Sequence, residues 1–228
     1  MKELLNKILL SKNVVENFYE EFNNNVDFRN WLNKVIPEVE RCEKQQQNNP
    51  WHKYNVLGHI LHSVEEMNKQ TINMDEEDRK MLAYTMFFHD MGKPEKHIVR
   101  VKDGKEIDSF FNHNIASEHI ARDRLKLLNF SNEEIEIIAK LVNKHDIFMF
   151  IKDKKTSNPY WRVLTDDLIK DEIEDLFQVG DGLKLMCWLV MVGRADNLAQ
   201  NELMTGESLA LLNKIDNILD KFKQIKSL

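Results

Sequence analysis

Leu185-Met186-Cys187-Trp188-Leu189-Val190-Met191-Val192 is the longest apolar run in the chain. It is far shorter than the ~20 residues needed to cross a bilayer. It reads instead as part of a helix over Asp181–Asn201 that is buried on all sides in a core. The rest of the sequence agrees with a helical fold. Seven glycines and four prolines in 228 residues are less than half the roughly 12% of an average protein. Few turn-formers mean few turns and long elements. A sandwich or barrel needs a turn every ~8–12 residues and is excluded on that count.

Outward from that run, periodicity marks the other helices. Toward the C-terminus, an amphipathic helix is expected from Glu207 to the chain end. Upstream, Thr165 to Gln178 reads as a helix after a polar loop over Lys152–Pro159. Helices are expected at about 113–128 and 132–150, the second opened by a capping box from Ser131 to Glu134. Residues 91–112 hold Gly92, Pro94 and Gly104, and a small hairpin is expected near 98–108. Asp75 caps a helix that ends near His89-Asp90. Asn55 caps another, Val56 to about Gln70, with an apolar stripe of Val56, Leu57, Ile60, Leu61, Val64 and Met67. Short helices fill 2–46, one opened by Pro37. No internal repeat or linker interrupts the chain, so one all-α domain over 1–228 is expected, with its core at about 45–200.

Composition narrows the function. Apolar residues at 42% and charged residues at 31% describe a soluble globular protein. The net charge of −6 gives no support to an extended nucleic-acid groove, which needs a basic excess. Cys42 and Cys187 are too few and too far apart for a disulfide framework. Buried free thiols and a cytoplasmic location are expected, with no signal peptide and no membrane partner. No Gly-rich phosphate loop, nucleophile elbow or CxxC is present.

What remains is histidine. Phe87-Phe88-His89-Asp90-Met91-Gly92-Lys93-Pro94 sets an imidazole beside a carboxylate where a helix meets a loop. Neighbours on a regular helix point about 100° apart and do not share an ion. At a helix end the backbone can bring both to one point, and Gly92 is expected to give that freedom. His59 lies near a core-facing stripe and needs a polar partner. His113 opens one helix and His145 lies within another. Asp196 follows the most apolar stretch by about one turn. A carboxylate on so buried a helix is costly unless paired or metal-bound.

The order His59, His89-Asp90, His113, His145, Asp196 along a helical chain resembles the HD-domain superfamily of metal-dependent phosphohydrolases. The matching strings are Leu57-Gly58-His59, His89-Asp90-Met91-Gly92-Lys93 and Arg194-Ala195-Asp196. Within the superfamily the chain looks most like the HD domain of some bacterial CCA-adding tRNA nucleotidyltransferases. Gln47 to Tyr54, the His-Asp-Met-Gly-Lys-Pro string, and the segment Phe110 to Ser117 carry that likeness. Those transferases also have a head domain with a Gly-Ser motif and paired aspartates. This chain has no Gly-Ser pair, so a free-standing HD domain is expected and nucleotidyl transfer is not.

The resemblance implies a ligand set of His59, His89, Asp90 and Asp196 for a divalent metal. Mixed imidazole and carboxylate donors suit Mn, Fe, Co, Ni or Zn better than Ca; Mg is also compatible with the family. His113 and His145, with Asp90 bridging, would hold a second ion. The implied reaction is attack of a metal-activated water on a phosphoester. The implied substrate is a nucleotide, cyclic nucleotide or RNA-end phosphate. Lys93 is expected as a phosphate clamp, Arg194 to orient Asp196, and Asp146 to accept from a ligand imidazole. His62, one turn from His59, is placed facing the same cavity. Two other readings share the ligands: a non-catalytic nucleotide- or RNA-binding module, and an HD-type di-iron oxygenase.

Overall fold

The computed structural model describes residues 1–226. Helices dominate: α1 (Lys2–Leu9), α2 (Val14–Asn24), α3 (Val26–Val35), α4 (Glu38–Lys44), α5 (Val56–Gln70), α6 (Glu76–Phe88), α7 (His113–Leu127), α8 (Asn132–Lys144), α9 (Asp166–Leu176), α10 (Gly182–Leu198) and α11 (Gly206–Lys226). The class is all-α, as the scarcity of turn-formers implies. The last helix is described to Lys226; the expectation that it runs to the chain end lies partly outside the described residues. Two strand pairs complete the described elements. Strands β1 (Ile98–Lys102) and β2 (Lys105–Ser109) form the expected antiparallel hairpin. Asp103 and Gly104 turn it at φ 52° and 73°, the left-handed pair that hairpin turns favour. The second pair, β3 (Ile151–Lys152) and β4 (Arg162–Val163), is parallel. It is too short to leave a period-2 signature and lies at the ends of the segment read as a polar loop.

The core explains the order of packing. Helix α10 packs on α5, α6, α8, α9 and α11, so its sequence is apolar almost all round. Leu185, Met186, Trp188, Leu189, Val190 and Val192 are buried, while Cys187 and Met191, one turn apart, are only partly covered. Burial is therefore on most sides of α10, not all. Cys42 is fully buried and Cys187 is not. Helices α5 and α6 pack on each other, and α8 is sandwiched between α6 and α7.

The N-terminal helices cover the outer face of α5 and α6. Phe18 stacks on Phe22 at 5.8 Å and meets Phe28 and Phe87 at 6.1 and 6.2 Å between ring centroids. Such rings bury large apolar areas and lock relative helix positions. Polar ties sit beside them. Asn68 Nδ2 donates to the carbonyls of Leu9 and Ser11, both at 2.8 Å.

Two helix ends depart from the sequence reading, and both matter for the site. Helix α8 stops at Lys144 rather than near 150, and Ile147–Phe150 forms a separate 3-10 turn. His145 is therefore the residue that caps α8, not one inside a helix. Gly92 has φ −79°, which any residue adopts, so conformational freedom is not its role. A Cβ there would lie 2.5 Å from the His113 carbonyl oxygen and 2.6 Å from Ser117 N. Gly92 is glycine because the first turn of α7 presses against it.

Candidate metal centre

The ends of four helices and one early turn deliver the polar groups. His59 sits in the first turns of α5. That start is fixed by Asn55, whose side chain accepts from Gly58 N at 2.7 Å and donates to Glu43 O at 2.7 Å. His89 caps α6, with Asp90 next in the chain. His113 opens α7 and His145 caps α8. Asp196 lies in the last turn of α10. Gly92 N donates to Ser117 Oγ at 2.8 Å, which ties α7 to the corner after Asp90.

These six residues form two groups. His59, His89 and Asp196 make one, and Asp90, His113 and His145 the other. In each, one ligand atom per residue lies within 4.8 Å of the others. Asp90 joins them. Its Oδ2 is 3.3 Å from Nε2 of both His59 and His89. Its Oδ1 is 3.1 Å from His113 Nε2 and 3.6 Å from His145 Nε2. Asp196 Oδ1 is 2.9 Å from His59 Nε2 and 3.6 Å from His89 Nε2. His89, Asp90, His59 and His145 are at most 3% exposed and Asp196 is 8% exposed.

The rings are prepared as ligands by their own backbone. His89 Nδ1–H donates to Met86 O at 2.6 Å, His113 Nδ1–H to Phe110 O at 2.8 Å, and His145 Nδ1–H to Val142 O at 2.7 Å. Each acceptor is the carbonyl three residues earlier. That bond sets the tautomer and leaves Nε2 as a lone pair when the ring is neutral. For His113 and His145 the lone pairs then face one another, with Nε2 atoms 3.1 Å apart; His59, whose Nδ1 meets no partner, brings its Nε2 to 3.3 Å from that of His89. A cation between them relieves that repulsion.

The carboxylate tells the same story. Nitrogens crowd both oxygens of Asp90: the Lys93 ammonium pairs with Oδ2 at 2.6 Å, and four imidazole Nε2 atoms lie at 3.1 to 3.6 Å. One lysine balances only part of the charge of two buried carboxylates, Asp90 and Asp196, and a further cation among the imidazole nitrogens would balance the rest. The residues present therefore fit divalent metal. Burial raises the pKa of Asp90, but Lys93 and His89 outweigh it and hold the carboxyl well below its ordinary range. Burial likewise opposes ionisation of Asp196 and is overcome by His59 and His89. Burial disfavours charge on His59 and His89 too, and the carboxylates of Asp196 and Asp90 outweigh it. The pocket draws positive charge, whether protons or metal ions.

Lys93 lies at the bottom of the site, not at its mouth. Its Nζ is 2.6 Å from Asp90 Oδ2, donates to Gln47 Oε1 at 2.8 Å, and is 3.4 Å from His52 Nε2. It has three N–H groups and three neighbours for them, so none is left to clamp a phosphate. The His52 ring stands edge-on to His59 at 5.0 Å. Burial, reinforced by Lys93, pushes its pKa down to about 2, so it is a neutral ring. Gln47 and His52 stand beside the site through Lys93. Both lie in the Gln47 to Tyr54 string that carries the family likeness, but no spacing in the sequence assigns them a partner; the fold does.

Three expected roles meet other partners in the structure. Arg194 pairs with Asp216 and donates to Asn213 Oδ1 at 3.0 Å. Two residues along a helix put Arg194 about 200° from Asp196, so it faces α11 and does not orient the carboxylate. Asp146 does not take the His145 Nδ1–H, which goes to Val142 O. His62 stacks on Tyr54 with centroids 4.1 Å apart and joins neither histidine group.

Six His and Asp side chains in two joined groups, five of them buried and His113 partly so, form a set that could hold metal ions in a helical protein. The HD domain model matches residues 52–178, more than half of the chain, and the chain belongs to the HD-domain family. HD domains form a superfamily of metal-dependent phosphohydrolases that bind divalent ions. A search of curated proteins found no match. No described helix is long and apolar enough to cross a membrane.

Proposed function

We propose that this chain hydrolyses a small phosphoester, such as a nucleotide, a cyclic nucleotide or an RNA-end phosphate, at a pair of divalent ions. His59, His89 and Asp196 would hold one ion, His113 and His145 the other, and Asp90 both. The observation that carries this reading is the Asp90 carboxylate, whose Oδ2 lies 3.3 Å from both His59 and His89 and whose Oδ1 lies 3.1 and 3.6 Å from His113 and His145. Divalent ions there supply Lewis acidity toward phosphoryl oxygens and make water a usable nucleophile near neutral pH.

The chain's own residues do the rest. The backbone carbonyls of Met86, Phe110 and Val142 keep three rings in the ligand tautomer. Lys93 offsets the charge of Asp90 and fixes it in place, held in turn by Gln47 and His52. Burial of the ligands excludes bulk water and strengthens every charge interaction in the site. The complete ligand set favours an enzyme over a module that only binds.

The test is a metal assay and a substrate panel run together. Purified protein is expected to carry divalent metal and to hydrolyse aryl phosphate, bis-aryl phosphate, nucleotides or cyclic nucleotides with Mn, Co, Ni or Mg added. Asp90→Ala is expected to lose bound metal and at least about 10²-fold of activity, the scale on which removing a group that holds the reacting charge acts. Full activity in that variant would sink the proposal. Normal metal content with no phosphoester turnover would favour the binding module or the oxygenase.

A further inference from the structure

A narrow cleft of ≈ 20 Å³ reaches the site between His145 and Asp196, one residue from each ligand group. Its inner part holds about one water-sized group, so most of any substrate sits at its rim. The rim carries Asp146, Asn197 and Ser208, with Phe148, Met149 and Leu211 as apolar wall. No lysine or arginine lines it. The basic side chains nearest in sequence are committed elsewhere: Lys93 to Asp90 and Gln47, Arg194 to Asp216, Lys144 to Glu172 and Asp175. The Asp146 carboxylate accepts no hydrogen bond and joins no ion pair among the described residues.

We propose that the rim of this cleft receives the organic portion of the substrate, and that Asp146 selects phosphomonoesters of uncharged, hydroxyl-bearing alcohols over substrates that carry a second phosphate. The proposal rests on the hydrolytic reading above. The metal ions answer the charge of one phosphoryl group. A second phosphate at the rim meets a bare carboxylate and no cation, which raises its energy. A hydroxyl group instead donates to Asp146, and the apolar wall covers its carbon skeleton. Hydrolysis breaks the P–O ester bond, places the water oxygen on phosphorus and returns a proton to the departing alkoxide, giving alcohol and phosphate.

The experiment compares glycerol 3-phosphate with inorganic pyrophosphate on the Mn²⁺-supplemented protein, using wild type, Asp146→Asn and Asp146→Lys. Wild type is expected to favour glycerol 3-phosphate in kcat/KM. Asp146→Lys is expected to shift the ratio toward pyrophosphate by at least roughly five- to tenfold, mostly through KM, the weight of one charge at close range in water. The isosteric Asp146→Asn should give a smaller shift in the same direction and guards against misfolding. An unchanged ratio in both variants, or a wild type that prefers pyrophosphate, overturns the proposal. If no phosphoester is turned over, the hydrolytic reading falls, and calorimetric binding of the same two ligands decides the selectivity. An Asp146-dependent preference for glycerol 3-phosphate then upholds it; equal binding, or none, overturns it.

Discussion

Lys93 is 5% exposed, and Asp90, Gln47 and His52 surround its ammonium. Removing the neutral acceptor leaves a buried N–H without a partner. Gln47→Leu is therefore expected to cost about 1–3 kcal/mol of stability and to weaken Mn²⁺ binding, since Asp90 loses its fixed counter-charge. Denaturant unfolding and a Mn²⁺ titration check both. Gln47→Glu keeps an acceptor, and metal affinity should recover relative to Gln47→Leu; equal affinity in the two variants would count against this role. At this scale the candidate ligands are easier to read in the sequence than their supports. His59, His89, Asp90 and Asp196 stand in short recognisable strings; Gln47 does too, but its bond to Lys93, 46 residues away, is made only by the fold. Arg194 failed as a neighbour for the opposite reason, since closeness in sequence put it on another face of α10; Asp146 lines the cleft beside His145, but the ring's Nδ1–H goes to Val142 O instead.

Elements decide where those residues meet. The capping box at Ser131 and Glu134 formed as read, with Glu134 N donating to Ser131 Oγ at 3.2 Å and Ser131 N to Glu134 Oε2 at 2.7 Å. Starts of helices were legible because caps are local chemistry. Ends were less so: α8 runs out at Lys144 although apolar residues continue through Phe150, because the chain turns there to present His145. Gly92 shows the same limit. Its glycine was visible, but the reason, contact with α7, lies in packing. Gly92→Ala must push α7 away from the Asp90 corner, since the new methyl meets backbone atoms at 2.5 and 2.6 Å. A loss of roughly 1–3 kcal/mol is expected, as for other overpacked sites. His113 should retreat with the helix, lowering Mn²⁺ stoichiometry while His59, His89 and Asp196 still bind. Thermal unfolding and a metal count on the purified variant check this; unchanged stoichiometry would contradict it.

For the whole molecule, the candidate metal site and the core are one object. The apolar cluster runs from Leu5 to Leu219, and the candidate ligands come from α5, α7 and α10 and from the ends of α6 and α8. Ions that bind only the folded chain stabilise it by mass action, about 2.7 kcal/mol when free metal is a hundredfold above Kd. In a chain of this size each kcal/mol moves Tm by roughly 2–4 °C. Chelation is expected to lower Tm by about 5–10 °C, and excess Mn²⁺ to restore it. A calorimetric scan that is indifferent to chelator would argue against a metal tie between the helices.

The bonds from His89, His113 and His145 to the carbonyl three residues back carry an implication for sequence drift. The partner that fixes each ring is main chain, which no substitution can remove without breaking the turn itself. Side chains that touch neither these rings nor Asp90 and Lys93 are thus free to change across long divergence, while the three rings stay correctly poised. A chain of this kind can alter its rim, its hairpin and its outer helices, and so its substrate, without rebuilding its chemistry.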